Sequence, residues 1–210
     1  MNPHANARRI VIALLAVSFA SIAIFAHARD GDALDAWARY ARSAEAARLL
    51  AWVRCHMREE VAGLRCSSPG PGPLPEFRGR LGVFITITTK KTVRGCYGAF
   101  DHAGDDIASL LREYLRGALF SDPRTSPLGP GEIDAARIIV TVADRPVAIR
   151  DINMLDITRY GVTITDESDR TLVFVPAEIK SVAHVQRRIA GMRIAHIAAF
   201  RAITIRERSR

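Results

Sequence analysis

Apolar and polar residues alternate between residues 81 and 88, and this alternation predicts a β-strand. One face carries Leu81, Val83, Ile85 and Ile87. The other face carries Thr86 and Thr88, so the pattern has the period of two that half-buried strands show. The next three residues, Thr-Lys-Lys at 89–91, predict a turn, and a return strand begins at Thr92. The stretch 81–100 is therefore predicted to be a β-hairpin, around which the rest of the chain is organised.

Helical patterns flank this hairpin. Residues 32–62 predict helix, and a 3-4-4 spacing relates Leu50, Val53, Met57 and Val61. The helix after the hairpin is predicted to begin at Asp105 or Asp106 and to bury one continuous face. That face comprises Ile107, Leu110, Leu111, Tyr114, Leu115, Ala118 and Leu119. A third helix is predicted over 178–195, with Ile179, Val182, Ile189 and Met192 facing inward.

Further strands are predicted over 136–144, 160–166, 170–176 and 199–205, with a short helix over 151–156. Proline and glycine mark 67–75 and 121–131 as loops. Together these elements predict one α+β domain over 44–210, with a mainly antiparallel or mixed sheet flanked by helices. Residues 29–43 are predicted to be a helical extension, either a separate arm or an earlier start of the first helix.

The N-terminus has the pattern of a secretory signal. Arg8 and Arg9 precede the apolar run Ile10–Ala26, and the small-x-small sequence at 26–28 resembles a cleavage site. Residues 1–28 are thus predicted to be a signal peptide, the mature chain to start at Arg29, and the protein to be periplasmic or extracellular. The alternative is an uncleaved membrane anchor over residues 10–26.

Charge adds little to this picture. The chain has a net charge of +8, which falls to +6 when residues 1–28 and their two arginines are removed. No nucleic-acid-binding signature is visible, so we expect a basic soluble surface rather than a nucleic-acid partner. The chain also lacks a phosphate loop, a dinucleotide fingerprint and a nucleophile elbow, so no cofactor is predicted.

Three cysteines are present: Cys55, Cys66 and Cys96. In an oxidising compartment Cys55 and Cys66 are predicted to form a disulfide that ties the first helix to the loop at 67–75. Two alternatives remain open. Cys55 and Cys66 are unpaired thiols, or Cys96 pairs with one of them.

The return strand carries the most suggestive chemistry, Arg94-Gly95-Cys96-Tyr97-Gly98. The two glycines indicate either a backbone conformation closed to other residues or a close approach to another group. Cys96 has three possible roles: a small buried residue, a binding or redox group, or a nucleophile. Arg94, two residues away, would favour the thiolate, and a base would come from His56, His102, His184 or His196. No metal site is predicted, because Cys-x-x-Cys and paired histidines are lacking.

Val83–Ile87 followed by Val93–Gly98 resembles the AMMECR domain, whose signature reads Leu-Arg-Gly-Cys-Ile-Gly after a strand. Three later segments echo the same family in order, over roughly residues 44–205: Ser121–Arg124, Tyr160–Val162 and Val173–Pro176. The resemblance implies an α+β fold with a groove near the motif, and raises the possibility that Asp122 and Arg124 reach a ligand site beside Cys96. It implies no settled activity.

These observations favour a binding or accessory module that acts through the motif groove. The family resemblance implies a protein partner, a Memo-like or radical S-adenosylmethionine protein, or a small shared ligand. The rival hypothesis is an enzyme that uses Cys96 as a nucleophile with a histidine or carboxylate base. A membrane association is expected only if the N-terminal segment stays uncleaved.

Overall fold

The computed structural model describes residues 33–77, 80–90, 92–104 and 106–207. Within these ranges the chain is an α+β domain with four α-helices and a curled, seven-stranded antiparallel sheet. The predicted fold class is therefore confirmed, whereas the short strand at 147–148 was not predicted. The helices are α1 (33–40), α2 (Glu45–Ala62), α3 (Ile107–Phe120) and α4 (Val182–Arg188). The strands are β1 (Gly82–Thr89), β2 (Thr92–Ala99), β3 (Ala136–Ala143), β4 (Val147–Ala148), β5 (Tyr160–Asp166), β6 (Thr171–Phe174) and β7 (Ile194–Arg206).

The strand order in the sheet is β2-β1-β3-β7-β5-β6, with β4 paired to β7 beside this path. β7 is the longest strand, with 13 residues, and it holds the two halves of the sheet together. Its C-terminal part pairs with β3 and its N-terminal part pairs with β5. The hairpin strand β2 therefore lies at one edge of the sheet.

The predicted hairpin is present. β1 pairs antiparallel with β2, and Thr86 lies opposite Cys96. Lys90 makes the turn with a φ of 47°, in the left-handed region. β3 pairs along the other edge of β1, and β1 is buried almost throughout. Its face with Phe84 and Thr86 is buried as well as its aliphatic face, because Phe84 packs in a cluster with Val175 and Phe200.

Helices α2 and α3 cover one face of the sheet and form the main core with β1 and β3. All seven residues of the predicted α3 face are buried. Asp106 caps this helix, because its carboxylate accepts hydrogen bonds from the amides of Ala108 (3.3 Å) and Ser109 (3.0 Å). Asp105, the other predicted cap, lies outside the described residues.

The helical stretch predicted over 32–62 is broken by a turn at 41–44, so α1 and α2 are separate helices. Leu34 and Trp37 of α1 are fully buried in the main core. α2 ends at Gly63, which has a φ of 68°. The predicted disulfide joins Cys55 in α2 to Cys66 beyond the end of this helix, with a Cα–Cα distance of 5.3 Å. Cys96 is a free thiol.

The second half of the chain corrects two predictions. In place of the helix predicted over 178–195 the structure has the shorter helix α4, which spans Val182–Arg188. The chain then turns at Gly191, whose φ is 85°. The last strand begins five residues earlier than the predicted 199–205, since Ile194–Arg201 pair with β5. The predicted inward residues, Ile179, Val182, Ile189 and Met192, pack on β5 and β6 in a second, smaller core.

The predicted signal peptide (1–28), its apolar run (10–26) and the predicted start at Arg29 lie outside the described residues. Within the residues that are described, no helix is both long enough and apolar enough to cross a membrane.

Candidate functional site

The motif glycines are required by close approach and not by an unusual backbone conformation. Neither Gly95 nor Gly98 has a positive φ. A Cβ atom on Gly95 would lie 1.8 Å from the carbonyl oxygen of Ala118 in α3, and one on Gly98 would lie 2.1 Å from the carbonyl oxygen of Val83 in β1. The structure therefore supports close approach to another group, one of the two explanations that the sequence left open. The backbone of β2 lies in close contact with the backbones of α3 and β1.

The two faces of β2 carry different side chains. Tyr97 packs on Gly117 of α3, where an added Cβ would meet the Tyr97 ring at 2.3 Å, yet it remains 41% exposed. Cys96 lies on the opposite face. There it is partly buried against a small apolar cluster that includes Phe84, Val175 and Phe200.

The loop after α3 folds back onto the motif. The Asp122 carboxylate accepts a hydrogen bond from the Cys96 backbone amide, with an N···O distance of 2.8 Å. The same carboxylate accepts bonds from the Arg124 amide (3.0 Å), Nε (2.9 Å) and Nη2 (2.8 Å). The Thr125 hydroxyl donates to the Arg94 carbonyl oxygen at 2.7 Å. Asp122 and Arg124 therefore form a local ion pair and also reach the Cys96 segment.

A buried carboxylate that the sequence analysis did not single out completes the cluster. Oε1 of Glu178 lies 3.0 Å from Nη2 of Arg124, and the Glu178 side chain is only 5% exposed. Its other oxygen, Oε2, is buried and accepts no N–H or O–H hydrogen bond, and the Cys96 thiol is close enough to the Glu178 carboxylate to form a weak hydrogen bond with it. Glu178 follows the Val173–Pro176 segment, and that position was the only sequence signal for it. We define the thiol site as Cys96, Asp122, Arg124 and Glu178.

The Cys96 thiol is held in its protonated form. Burial raises its pKa well above the ordinary value, and the nearby Glu178 carboxylate raises it further. The Thr86 hydroxyl, which donates to Sγ at 3.3 Å, and Arg124 oppose this rise without cancelling it. Arg94 does not act as the sequence suggested, because its guanidinium forms an ion pair with Glu132.

Burial also shapes the pKa values of the two carboxylates in the thiol site. It raises the pKa of Glu178 despite the opposing charge of Arg124. It also pushes the pKa of Asp122 upward, but hydrogen bonds from the Arg124 side chain, the Arg124 amide and the Cys96 amide outweigh it, and the pKa is lowered overall. The site thus joins the Asp122 carboxylate, whose pKa is lowered, the Arg124 guanidinium, and two groups whose pKa values are raised by burial, the Cys96 thiol and the Glu178 carboxyl group.

Two of the four candidate histidines, His56 and His102, make other contacts. The His102 ring nitrogens lie 2.6 Å from the Tyr114 hydroxyl and 2.7 Å from the Leu81 carbonyl oxygen. His56 pairs with Glu59 at 2.8 Å. His184 lies in α4 and His196 in β7. No hydrogen bond from a described histidine to the Cys96 thiol is found. Among the described residues, no group of three or more His, Cys, Asp or Glu side chains is arranged to hold a metal ion.

Fold and site together define a class: an α+β domain whose edge strand presents an Arg-Gly-Cys motif, clamped by a returning Asp-Pro-Arg loop. A family model described as AMMECR1 matches residues 50–195, more than half of the chain. The protein belongs to the AMMECR1 family.

Relatives support this assignment. A Thermotoga maritima protein is 31% identical over 118 residues, which are 56% of this chain and 68% of that protein. A Methanothermobacter thermautotrophicus protein is 36% identical over 77 residues, covering 36% of this chain and 40% of the relative. The crystal structure of an uncharacterised Pyrococcus horikoshii protein superposes with a TM-score of 0.56 over 74% of this chain and 87% of that one. At 15% identity it supports the fold alone.

Proposed function

We propose that this protein is an exported binding or accessory module whose thiol site receives a small ligand or a segment of a partner protein. The observation that supports this function is the environment of Cys96, a neutral thiol beside the buried carboxyl group of Glu178. The motif then serves recognition, and its thiol is a contact surface rather than a reacting group.

A nucleophilic role fits this environment poorly. The reactive form of cysteine is the thiolate, which is favoured by nearby positive charge and by exposure. Ionising Cys96 would instead create a negative charge in a buried place next to Glu178, and both effects raise the thiol pKa. Arg124 offsets this only in part, because Asp122 and Glu178 already share its guanidinium.

The buried Oε2 of Glu178 accepts no N–H or O–H hydrogen bond, and this indicates what the ligand would offer. A buried acceptor without a partner costs about 1–3 kcal/mol, and a ligand that donates an N–H or O–H group to it would recover part of that cost. The Arg124 side chain is 34% exposed and borders the same place. A ligand that combines a hydrogen-bond donor for Glu178 with an acceptor for Arg124 fits the thiol site best.

The location and the partner are part of this proposal. Residues 1–28 support export, and the Cys55–Cys66 disulfide is compatible with an oxidising compartment. On family association alone, we propose a Memo-like or radical S-adenosylmethionine protein as the partner.

A thiol-dependent enzyme is the second candidate. One observation favours it: the carboxylate of Glu178 lies close enough to Cys96 to influence its pKa, so a base is adjacent to the sulfur. In this mechanism Glu178 would accept the thiol proton only once a bound substrate excludes water and adds positive charge. The two candidates make opposite predictions for removal of the sulfur.

Capture of partners from the cell envelope separates them. Wild-type protein, Cys96→Ser, Glu178→Gln and the matched surface control Glu167→Gln are immobilised, and the captured proteins are identified and quantified. Glu167 is 62% exposed, so its variant tests the loss of a carboxylate as such. We expect Cys96→Ser and Glu167→Gln to retain capture and Glu178→Gln to lower it at least tenfold. If Cys96→Ser keeps the thermal stability of the wild type but no longer captures partners, the result would instead support the enzyme.

A further inference from the structure

A concave surface lies apart from the thiol site. A groove of about 1100 Å³ runs between α2, the start of β3 and the end of β7. None of the four thiol-site residues lines it. We call it the basic groove, because the charged residues along it are Arg42, Arg54, Arg58, Asp134, Arg137, Arg206 and Glu207.

The arginines along the basic groove outnumber the acids by five to two, which gives it a net charge of +3. Arg54 is a structural residue. It forms a bidentate ion pair with Glu207 and donates to the carbonyl oxygens of Ile133 (3.1 Å) and Ala136 (2.6 Å). This network removes one charge of each sign from the groove, so its positive excess is unchanged.

Two of these arginines are placed to meet a ligand. Arg42 lies in the turn between α1 and α2, Arg206 is the last residue of β7, and both are exposed. Arg58 contributes as well, because its contact with Asp134 is long, 3.4 Å, and exposed on both sides. Such a surface pair contributes little and can be exchanged for a ligand carboxylate.

Three alanines, which we call the alanine wall, line the groove on the α2 side, and the charges that α2 contributes to the groove come from Arg54 and Arg58. Ala44, Ala47 and Ala51 are exposed along it at positions i, i+3 and i+7, so they share one helix face. Small side chains allow another polypeptide to approach closely. No aromatic residue is among the groove residues, so the stacking platforms on which single-stranded nucleic acids bind are missing here.

We propose that the basic groove binds an acidic peptide segment of a partner protein, with aliphatic side chains on the alanine wall and carboxylates at Arg42 and Arg206. The charge of the groove selects the acidic segment, and its volume of about 1100 Å³ suits a polypeptide better than a single anion. The proposal uses no residue of the thiol site and stands independently of the function proposed for Cys96.

The test uses the full chain and a fluorescein-labelled peptide of alternating glutamate and alanine, with binding followed by fluorescence anisotropy. Arg42→Gln/Arg206→Gln should weaken binding about tenfold, and added salt should weaken wild-type binding because exposed charges are screened. Arg112→Gln/Arg116→Gln is the matched control, because it removes the same charge from exposed positions on α3 outside the groove. Equal losses from both double variants would overturn the proposal.

A second variant changes the shape of the basic groove and keeps all of its charges. Ala47→Trp places an indole on an exposed position of the alanine wall and should block the peptide as strongly as the double arginine change. Unchanged affinity in Ala47→Trp would show that the peptide binds elsewhere. An oligothymidylate or an anionic phosphatidylglycerol vesicle that binds more tightly than the peptide, with the same dependence on Arg42 and Arg206, would also overturn the assignment to an acidic peptide.

Discussion

The contact between β2 and α3 can be tested with a single methyl group. In Gly95→Ala the new Cβ would lie 1.8 Å from the carbonyl oxygen of Ala118 and 2.9 Å from its carbonyl carbon. Ordinary contact between such atoms begins near 3.4 Å, so the two backbones must separate by roughly 1.5 Å. The obstacle is backbone, which cannot rotate away as a side chain can.

The cost follows from what holds α3 in place. Its buried face is anchored in the main core by Leu111 and Leu115, which are 0% and 1% exposed, so a shift of the helix loosens many contacts together. Overpacking of this kind costs typically 1–3 kcal/mol and occasionally more. We expect Gly95→Ala to lower the free energy of unfolding by about 3 kcal/mol, which in a domain of this size lowers Tm by about 6–12 °C.

Thermal and urea unfolding followed by circular dichroism measure this change. Gly131→Ala is the matched control, because its Cβ would meet nothing within 4 Å and its φ is not positive. The control should stay within about 0.5 kcal/mol of the wild type. If Gly95→Ala unfolds within the same margin, β2 and α3 are not in the contact described, and close approach does not explain the motif glycine.

The other predictions concern the cysteines and the N-terminus. Iodoacetamide should alkylate Cys96 more slowly than free cysteine at neutral pH by mass spectrometry. Because its pKa is raised, the folded protein keeps a proton that the unfolded chain loses above about pH 8.5, so wild type should lose stability there relative to Cys96→Ser in urea titrations. Reducing the Cys55–Cys66 disulfide should lower the free energy of unfolding by about 2–3 kcal/mol in urea titrations. N-terminal sequencing of envelope protein should begin at Arg29; Met1 in the membrane fraction would favour the anchor.

The features that the sequence predicted well are those that depend on local patterns of residues. The period-two stretch became β1, and the apolar face of residues 107–119 became the buried face of α3. Cys55 and Cys66 lie close in sequence, beside a helix end and a proline-rich loop, so their pairing needed no knowledge of distant contacts. In each case the deciding interactions lie within a few residues or follow from one amphipathic face.

The errors occur where distant contacts decide the outcome. Residues 194–198, Ile-Ala-His-Ile-Ala, suit a helix or a strand, and their pairing with β5 makes them strand. Glu178 is the first residue of a predicted helix, a position where acids are common and exposed. Its burial beside Cys96 depends on how the second half of the sheet folds over β2, which a sequence pattern does not record.

Asp122 connects the fold to the thiol site. β2 is an edge strand, and an edge strand leaves backbone groups without a neighbouring strand. The Cys96 amide faces this edge, and the Asp122 carboxylate occupies the place that a carbonyl group of a further strand would take. Because the same carboxylate holds Arg124, which in turn holds Glu178, the groups around the sulfur are positioned by the closure of the sheet edge. The thiol site is therefore built by the returning loop as much as by the motif itself, and a change at Asp122 must affect the edge, the guanidinium and the thiol together.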